Sequence, residues 1–345
     1  MPMHSSFQRS ANYGYYADLL WCCVPLMAMA WFYYGPRPLL LMLAGLFTAY
    51  VCDCLVAPLH GADYRPHEPS SECFAALIVL MMPASVSYAV VVAAVVVAVL
   101  AKETFGGEGH YPFHPAAVGM AVAALSWPGQ VFSYPTPGTV LPLWGGVESG
   151  TGAGLNATLS SGGLPSDTTI NLVTGNVAGP LGTGAILVIL ACGLYLLCRG
   201  HLQLSTLLPY LVVCVAVPWL MPALNDLPAF SFPWEFVRQR VYLEKYIILS
   251  GGMLFGGIFL ACEPVTQPNR LSSRIIYGLL LGVATTVFRY NTVYETGICF
   301  ALLIVGAFPE WLDRVARRAE RIKFMKKEEQ RRAQRANPES IPEGF

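Results

Sequence analysis

The sequence predicts an all-α polytopic membrane protein with about ten transmembrane helices, and its composition and charge distribution carry that prediction. Of 345 residues, 55% are hydrophobic and 12% are charged, whereas charged residues make up roughly 25% of soluble domains. Lys and Arg are absent between Lys102 and Arg199, and ten of the 21 basic residues lie between Arg314 and Arg335. A soluble core of this size is not so poor in charge, so the apolar stretches are expected to lie in a bilayer.

Apolar stretches that approach the length of a membrane-crossing helix, about 20 residues, give the order of the spans. Residues 74–101 form one apolar stretch that Pro83 interrupts, which leaves open one long kinked helix or two short helices. The predicted spans are 17–34, 38–58, 73–83, 86–102, 114–132, 183–199, 203–221, 245–262, 273–289 and 294–312.

The distribution of basic residues gives the orientation of the spans. With both termini in the cytoplasm, 16 Lys and Arg lie inside and five lie outside. The chain then divides into a first membrane half (1–132), an extracytoplasmic loop (133–182), a second membrane half (183–312) and a basic cytoplasmic tail (313–345). Five spans in each half would allow the two halves to form an inverted repeat.

The two segments outside the predicted spans differ in composition. The 133–182 loop is rich in Gly, Ser, Thr and Pro and shows no evident secondary structure, so it is either a disordered linker or a functional loop. The tail mixes Glu320, Glu328 and Glu329 with its basic residues and is expected to form a solvated helix. Residues 1–15 lack the regions of a cleavable signal peptide, so the first span is expected to act as the targeting signal.

Composition also argues against several classes of function. The formal net charge is zero, whereas nucleic-acid binding needs a basic face, so no nucleic-acid partner is expected. The ten cysteines include no Cys-x-x-Cys pair and lie almost entirely inside apolar stretches. This placement favours small buried side chains over metal or cluster ligands, and no metal site is predicted.

Residues 103–119, ETFGGEGHYPFHPAAVG, join two apolar stretches with a high density of glycine and proline. Gly106, Gly107 and Gly109 are expected to turn with positive φ or to let the backbone approach a ligand closely. Pro115 then restarts a helix, whose first amides could face an anion or a cofactor. A plain tight hinge between two spans is the alternative.

Three acidic residues are candidates for ion coupling, because buried charge in a bilayer is costly and tends to be functional. Asp53 lies inside the second predicted span. Instead of coupling ions, its side chain could snorkel to the membrane surface or pair with another group. Glu295 starts the last span. Glu263 follows a second glycine-rich stretch, 251–257, which suits close helix packing. Because Glu263 lies at a helix end just before a proline, the alternative to an ion-coupling role is that its side chain faces cytosolic water.

Several blocks, in the same order along nearly the whole chain, resemble the D subunit of the Rnf ion-translocating electron-transport complex. They also resemble the related B subunit of the sodium-translocating NADH:quinone reductase. The chain departs from that family at His114, where Asn is usual, at Thr183, where Glu is usual, and at Glu263, where Asp is usual. The matching blocks are FGGEGHYPFHPAAVG with SWPGQVF, GNVAGPLGTG, GGMLFGGIFLACEPVTQP and VFRYNTVYETGICFALLIVGAFPEWLD.

The resemblance implies an FMN joined by a phosphoester to a threonine hydroxyl in the stretch SYPTPGT. Thr139 matches the acceptor position best, and Thr136 is the alternative acceptor. Ser133 and Gly138 stand where the family has Asp and Ala, which leaves open that no flavin is attached covalently. His114 would hydrogen-bond a flavin edge or cap the fifth helix, and a cofactor would also contact Gly106, Gly107 and Gly109.

The function that the resemblance implies is that of a membrane subunit of a redox-driven ion pump. Electrons would pass from reduced ferredoxin towards NAD, coupled to Na⁺ or H⁺ movement across the cell inner membrane. The protein would hold FMN, and the resemblance leaves open a second, noncovalent flavin. It would work with the A, B, C, E and G subunits in membrane lipid and would be inactive alone. A permease is the rival interpretation, because broken helices also build substrate sites in secondary transporters. A structural anchor without flavin is a third.

Overall fold

The protein is built almost entirely of α-helices. The structure is a computed structural model, which describes residues 3–56, 69–107, 109–145, 151–152, 154–161, 165, 167–221, 234–250, 252–292 and 294–336.

The first half of the chain contributes five helices. The break at Pro83 separates two helices, so residues 74–101 do not form one long kinked helix. The side chain of Ser87 caps the second of these two by accepting a hydrogen bond from the amide of Val90 at 3.4 Å. The five helices are α1 (Met3–Tyr34), α2 (Arg37–Val56), α3 (Ser70–Met81), α4 (Tyr88–Thr104) and α5 (Pro115–Ser126).

The segment that connects the halves is partly ordered into short elements, so the described residues of 133–182 do not form a disordered linker. Tyr134 pairs with Gly152 and Pro135 with Thr151 in a two-stranded antiparallel sheet. Gly175 ends the last short helix with φ of 89°, a left-handed conformation that suits glycine. The elements are α6 (Pro128–Val131), β1 (Tyr134–Pro135), β2 (Thr151–Gly152), α7 (Leu155–Ser160) and α8 (Thr169–Thr174).

The second half differs from the predicted spans at two places. The predicted span 245–262 falls on two helices that bend by 49° at a short break. The predicted last span 294–312 is wrong as one continuous helix, since a nine-residue helix is followed by a separate one from Pro309. The helices are α9 (Ile186–Cys198), α10 (Leu204–Leu220), α11 (Val237–Leu249), α12 (Gly252–Phe255), α13 (Leu271–Asn291), α14 (Gly297–Val305) and α15 (Pro309–Ala336), with a π-helical turn (Gly256–Leu260) directly after α12.

Helix length and hydropathy support a membrane protein of the helical type. Among the described residues, three helices are long and apolar enough to cross a bilayer: Tyr13–Tyr34 of α1, α2 and α13. The bent pair of α11 with the 252–260 segment gives a fourth when it is counted as one span. The shorter apolar helices α3, α5, α9 and α10 accompany them.

Helices of each half pack mainly on one another. In the first half α4 packs against both α2 and α5, and in the second half α13 packs against both α10 and α14. The halves meet where α5 contacts α14 and where α1 contacts α9. Glycines allow close approach at these contacts, because a methyl group at Gly119 would overlap the carbonyl oxygen of Ala94 and one at Gly278 that of Thr206.

The centre of the bundle is occupied by α3. Every residue from Cys73 to Met82 is at most 1% exposed, as expected for a helix that is apolar all round. Most of the ten cysteines are buried and none forms a disulfide, which agrees with their prediction as small buried side chains.

Candidate functional site

The glycine-rich stretch forms the tight turn that the sequence predicts between α4 and α5. Gly106, Gly107 and Gly109 have φ values of 146°, 72° and 73°, which glycine adopts without steric cost. The amide of Gly107 donates to the carbonyl oxygen of Lys102 at 3.0 Å and so reverses the chain at the end of α4. Pro115 occupies the first turn of α5, where its missing N–H costs no hydrogen bond.

His114 lies between this turn and α5 and is 1% exposed. Its ring packs edge-on against Phe74 with 5.4 Å between the centroids. His114 is the N-cap residue of α5, and its carbonyl oxygen accepts from the amides of Ala117 and Val118, but its side chain makes no capping hydrogen bond. Neither ring nitrogen has a hydrogen-bond partner within the described part of the chain, so a water or another polar group is expected beside it.

Glu263 is buried, with 1% of its surface exposed. The hydroxyls of Tyr16 and Tyr111 each donate to its Oε1 atom at 2.6 Å. The amide and the hydroxyl of Thr266 each donate to its Oε2 atom at 2.8 Å. The expectation that Glu263 faces cytosolic water is therefore wrong, and we name Tyr16, Tyr111, Glu263 and Thr266 the Glu263 centre.

The Glu263 centre brings distant parts of the chain together. Tyr16 belongs to α1, Tyr111 follows the glycine-rich turn, and Glu263 follows the π-helical turn, so both halves contribute. Such π-helical turns occur frequently at functional sites. The two phenol hydroxyls also contact each other, so two phenols and a carboxylate form one compact polar cluster.

A second buried network, the Asp53 network, joins α2, α3 and α4. The hydroxyl of Ser71 donates to Oδ1 of Asp53 at 2.9 Å. The ammonium of Lys102 donates to the hydroxyls of Ser70 and Ser71 at 3.1 and 2.7 Å. It also lies 3.2 Å from Oε1 of Glu103. Lys102 is fully buried and Asp53 is 4% exposed, so Asp53 belongs to a paired network rather than standing alone in an apolar span.

A third network surrounds Glu295, and we name it the Glu295 network. The amide of Asn156, in α7, donates to Oε1 of Glu295 at 2.6 Å. Arg289 donates to Oδ1 of Asn156 at 3.2 Å and to the hydroxyl of Ser250 at 2.7 Å. Its remaining terminal nitrogen donates to the carbonyl oxygen of Ile247 at 3.3 Å. Glu295 and Arg289 are each 7% exposed.

The Glu295 network fastens the connecting segment to the second half. The side-chain amide of Asn156 donates to the carbonyl oxygens of Arg289, Thr292 and Tyr294 at 3.1–3.2 Å. A methyl group at Gly154 would overlap Oε1 of Glu295. This carboxylate is therefore enclosed by backbone that only glycine permits to approach so closely.

Two polar groups that the sequence analysis missed are also buried. Asp18, in α1, accepts hydrogen bonds from Tyr195 at 3.0 Å and Arg199 at 2.8 Å, and it lies 2.9 Å from His201. Glu244, in α11, is 6% exposed, and neither of its oxygens has a hydrogen-bond partner among the described residues. Sequence offers no signal for the Asp18 cluster, because its partners lie about 180 positions away. Glu244 gives no signal either, because a glutamate next to Lys245 in a helix resembles an ordinary exposed ion pair.

The predicted flavin acceptors lie on an exposed part of the connecting segment. Thr136 and Thr139 are both exposed, and the hydroxyl of Thr139 donates to the carbonyl oxygen of Thr136 at 2.7 Å. Gly138, with φ of 86°, donates its amide to the carbonyl oxygen of Tyr33 at 2.9 Å. The two threonines are therefore accessible but held against the end of α1.

Arg37, which the sequence analysis counted only as an outside charge, anchors the same segment. Its guanidinium donates to the carbonyl oxygens of Ala84 at 2.9 Å, Val86 at 3.1 Å and Pro142 at 2.6 Å. Arg37 is fully buried. One side chain thereby joins the start of α2, the break between α3 and α4, and the connecting segment.

The predicted cofactor residues fall into two separate places. Thr139 lies near Tyr33, at the end of α1, whereas His114 and the glycine-rich turn lie near Tyr16, close to its middle. The 17 residue steps from Tyr16 to Tyr33 span about 26 Å of helix at 1.5 Å per residue. The structure thus does not bring Thr139 together with Gly106, Gly107, Gly109 and His114.

Apolar helices that enclose charged networks define an integral membrane protein of the helical class. A profile of the NQR2, RnfD, RnfE family matches residues 6–321. The chain belongs to this family.

Individual relatives are similar at low identity over most of their length. The D subunit of an ion-translocating oxidoreductase complex from Cronobacter sakazakii is 26% identical over 320 residues, which cover 82% of this chain and 87% of the relative. The D subunit of a Na⁺-translocating ferredoxin:NAD⁺ oxidoreductase complex from Acetobacterium woodii is 24% identical, covering 84% and 85%. The D subunit of a proton-translocating ferredoxin:NAD⁺ oxidoreductase complex from Clostridium ljungdahlii is 21% identical, covering 84% and 86%.

Proposed function

We propose that this protein is the membrane subunit of an Rnf-type complex, which couples electron transfer from ferredoxin to NAD⁺ with ion translocation. Family membership and the names of the relatives support this function. The Glu263 centre is the structural observation that carries it, because this buried carboxylate, which is costly in a bilayer, lies among hydroxyl groups that can exchange protons.

The ion path would use the three acidic residues predicted from the sequence. Glu263 would exchange protons with the phenols of Tyr16 and Tyr111, which lie within hydrogen-bond distance. Asp53 would contribute through a network of two carboxylates and one ammonium, whose surplus negative charge attracts cations. Glu295 is enclosed by the connecting segment, which favours a gate or a structural support at the far end of the path.

The transported ion is either Na⁺ or H⁺, because the relatives include both a Na⁺-translocating and a proton-translocating complex. The donors that contact Glu263 are three hydroxyls and one amide, and hydroxyl groups suit proton exchange, which favours H⁺.

The proposed topology has ten spans in two inverted halves of five helices, with both termini in the cytoplasm of the inner membrane. The two halves pack in the same order, which supports a repeat: α4 contacts α2 and α5 in the first half, and α13 contacts α10 and α14 in the second half. In this arrangement α11 and the 252–260 segment count as one broken span.

FMN is the proposed cofactor, joined through its phosphate to Thr139, with Thr136 as the alternative. The exposed hydroxyl of Thr139 and the open space around Gly138 fit such an attachment. When bound, FMN supplies electron transfer, and the chain holds the acceptor segment in place through Arg37 and Tyr33. A second, noncovalent flavin would occupy the separate place next to His114, Gly106, Gly107 and Gly109.

In this proposal the protein has no activity alone and works with the A, B, C, E and G subunits of the complex. Exposed apolar side chains cover its helices, which fits contact with lipid and with neighbouring membrane proteins.

Purification of the complex from its native membrane, followed by a denaturing gel, tests the flavin attachment. We expect in-gel flavin fluorescence from this chain, loss of that fluorescence in Thr139→Ala, and its retention in Thr136→Ala. The masses of the intact chain and of the peptide with residues 133–143 locate the adduct.

A gel band of the unaltered chain without flavin fluorescence would contradict covalent attachment. A noncovalent flavin would then be the remaining possibility, and the intact complex would release it on denaturation. A colourless chain that purifies without partners and transports a solute alone would overturn the proposed function in favour of a permease.

A further inference from the structure

The last helix, α15, exposes an apolar stripe along one face. Trp311, Val315, Ile322 and Met325 are 55%, 43%, 51% and 57% exposed. Their spacing of four, seven and three residues places them on one side of a helix with 3.6 residues per turn. A helix surrounded by water does not need such a stripe. The expectation of a solvated helix in the tail therefore describes only the polar side of α15.

Another side of α15 holds it in place against the bundle. Leu312 and Asp313 are 5% and 8% exposed. The carboxylate of Asp313 accepts from the amides of Asn269 at 2.9 Å and Arg270 at 3.3 Å, at the start of α13. At 100° per residue, the apolar stripe is centred roughly 140° away from this side. The attachment to α13 therefore leaves the stripe uncovered.

Basic side chains lie beside the stripe and, at Arg318, within it. The helix Pro309–Ala336 contains ten Lys and Arg and five Asp and Glu, which gives it a net charge of +5. A cleft between α15 and the start of α13 is rich in guanidinium groups, which bind phosphate in a planar, bidentate geometry. Its lining residues are Arg270, Arg314, Arg317, Arg318, Glu320, Arg321 and Phe324.

We propose that α15 is an interfacial helix that binds anionic phospholipids of the leaflet beside which it emerges. The apolar stripe enters the boundary between headgroups and acyl chains, and the arginine cleft holds the lipid phosphate groups. Lipid fits better than a protein partner because α15 begins only four residues after α14 ends. Two exposed aromatic residues, Phe308 just before α15 and Trp311 in its first turn, lie at that border, where aromatic side chains concentrate at membrane interfaces.

The full chain in nanodiscs tests the proposal by amide hydrogen exchange of peptides from 309–331. Discs of phosphatidylcholine are compared with discs that also contain about 30 mole per cent phosphatidylglycerol, which we expect to slow exchange about tenfold. Quenching of Trp311 fluorescence by brominated phosphatidylglycerol, taken as the difference from Trp311→Phe, reports contact between the stripe and lipid.

Two charge variants of equal size separate the cleft from the general positive charge of the helix. The combined change Arg314→Gln, Arg317→Gln and Arg321→Gln is expected to abolish the dependence on phosphatidylglycerol. The matched change Lys323→Gln, Lys327→Gln and Arg331→Gln removes three charges of the same helix outside the cleft and is expected to keep most of it. Exchange in α13 checks that either variant is folded.

Three outcomes would overturn the proposal. Equal rates of amide hydrogen exchange in discs with and without phosphatidylglycerol would show that the anionic headgroup has no role. Protection by inorganic phosphate in phosphatidylcholine discs would identify a site for a free anion instead of a lipid. Protection that appears only in the assembled complex, without lipid dependence, would identify a protein partner.

Discussion

The Glu263 centre and the Glu295 network both bury a glutamate, but they surround it with different donors. Glu263 is held by two phenols and by both the amide and the hydroxyl of Thr266. Glu295 is held by the amide of Asn156, within reach of an Arg289 that is itself fixed to backbone and side-chain oxygens. Hydroxyls can rotate and exchange protons, whereas backbone amides cannot.

The difference separates two uses of a buried acid in a membrane protein. A carboxylate among hydroxyls can change its protonation state while the surrounding backbone stays in place. A carboxylate among backbone groups instead fixes one segment of chain against another, as Glu295 fixes the 154–156 region against the α13–α14 connection. Burial alone therefore does not identify an ion-coupling residue.

The largest effect is expected from Glu263→Gln. The Gln side chain has the same shape, and its oxygen still accepts from Tyr16 and Tyr111. Only the local contacts with Thr266 are lost, because an NH2 group replaces the oxygen that accepts there, so the complex should assemble. Because general acid–base groups contribute about 10²–10⁴ in rate, ion uptake by proteoliposomes driven by ferredoxin and NAD⁺ should fall about a hundredfold or more. The control is Glu310→Gln, whose side chain is 90% exposed. Unchanged ion uptake in Glu263→Gln would remove Glu263 from the path.

Arg289→Leu should act on stability first. It removes the buried guanidinium that donates to the side chain of Asn156, the carbonyl oxygen of Ile247 and the hydroxyl of Ser250. Each hydrogen bond to a charged group contributes about 1.5–3 kcal/mol. Thermal unfolding of the purified chain in detergent measures the change, and Arg238→Leu, at an exposed position of α11, is the control. An unfolding midpoint equal in both variants would contradict the structural role of the Glu295 network.

A smaller loss is expected from Gly154→Ala. The added methyl group would overlap Oε1 of Glu295, and overpacking typically costs about 1–3 kcal/mol. Gly152→Ala is the matched control, because its methyl group would point into open space in the same segment. Protease cleavage between 133 and 182 should become faster only in Gly154→Ala. Equal cleavage of both would mean that this region does not pack on Glu295.

Much of the fold follows from the sequence because hydrophobic length and glycine chemistry are local signals. The positive φ values of Gly106, Gly107 and Gly109 and the restart of a helix at Pro115 both match the prediction. The separation of α3 from α4 at Pro83 resolves an alternative that local sequence leaves open. The family followed from ordered blocks along the chain.

The environment of the acidic residues could not be predicted, because their partners are distant in sequence. Tyr16 and Tyr111 lie 247 and 152 positions from Glu263, and no local pattern links them. Glu263 before a proline looked like a helix end in water, but its surroundings come from both halves. The flavin acceptor and the ion-coupling roles remain predictions, since they depend on a cofactor and on transport rather than on packing.

The contacts of Arg37 have a consequence for biosynthesis. Its carbonyl partners in the first half are made 47 and 49 residues after it, but Pro142 and Gly145 follow 105 and 108 residues later. At translation rates of about 5–20 residues per second, this guanidinium waits roughly 5–20 seconds for its last partners. The first helical hairpin is therefore synthesised before any of these partners exists, and the 142–145 stretch supplies the last of them when it fixes the connecting segment to the first half.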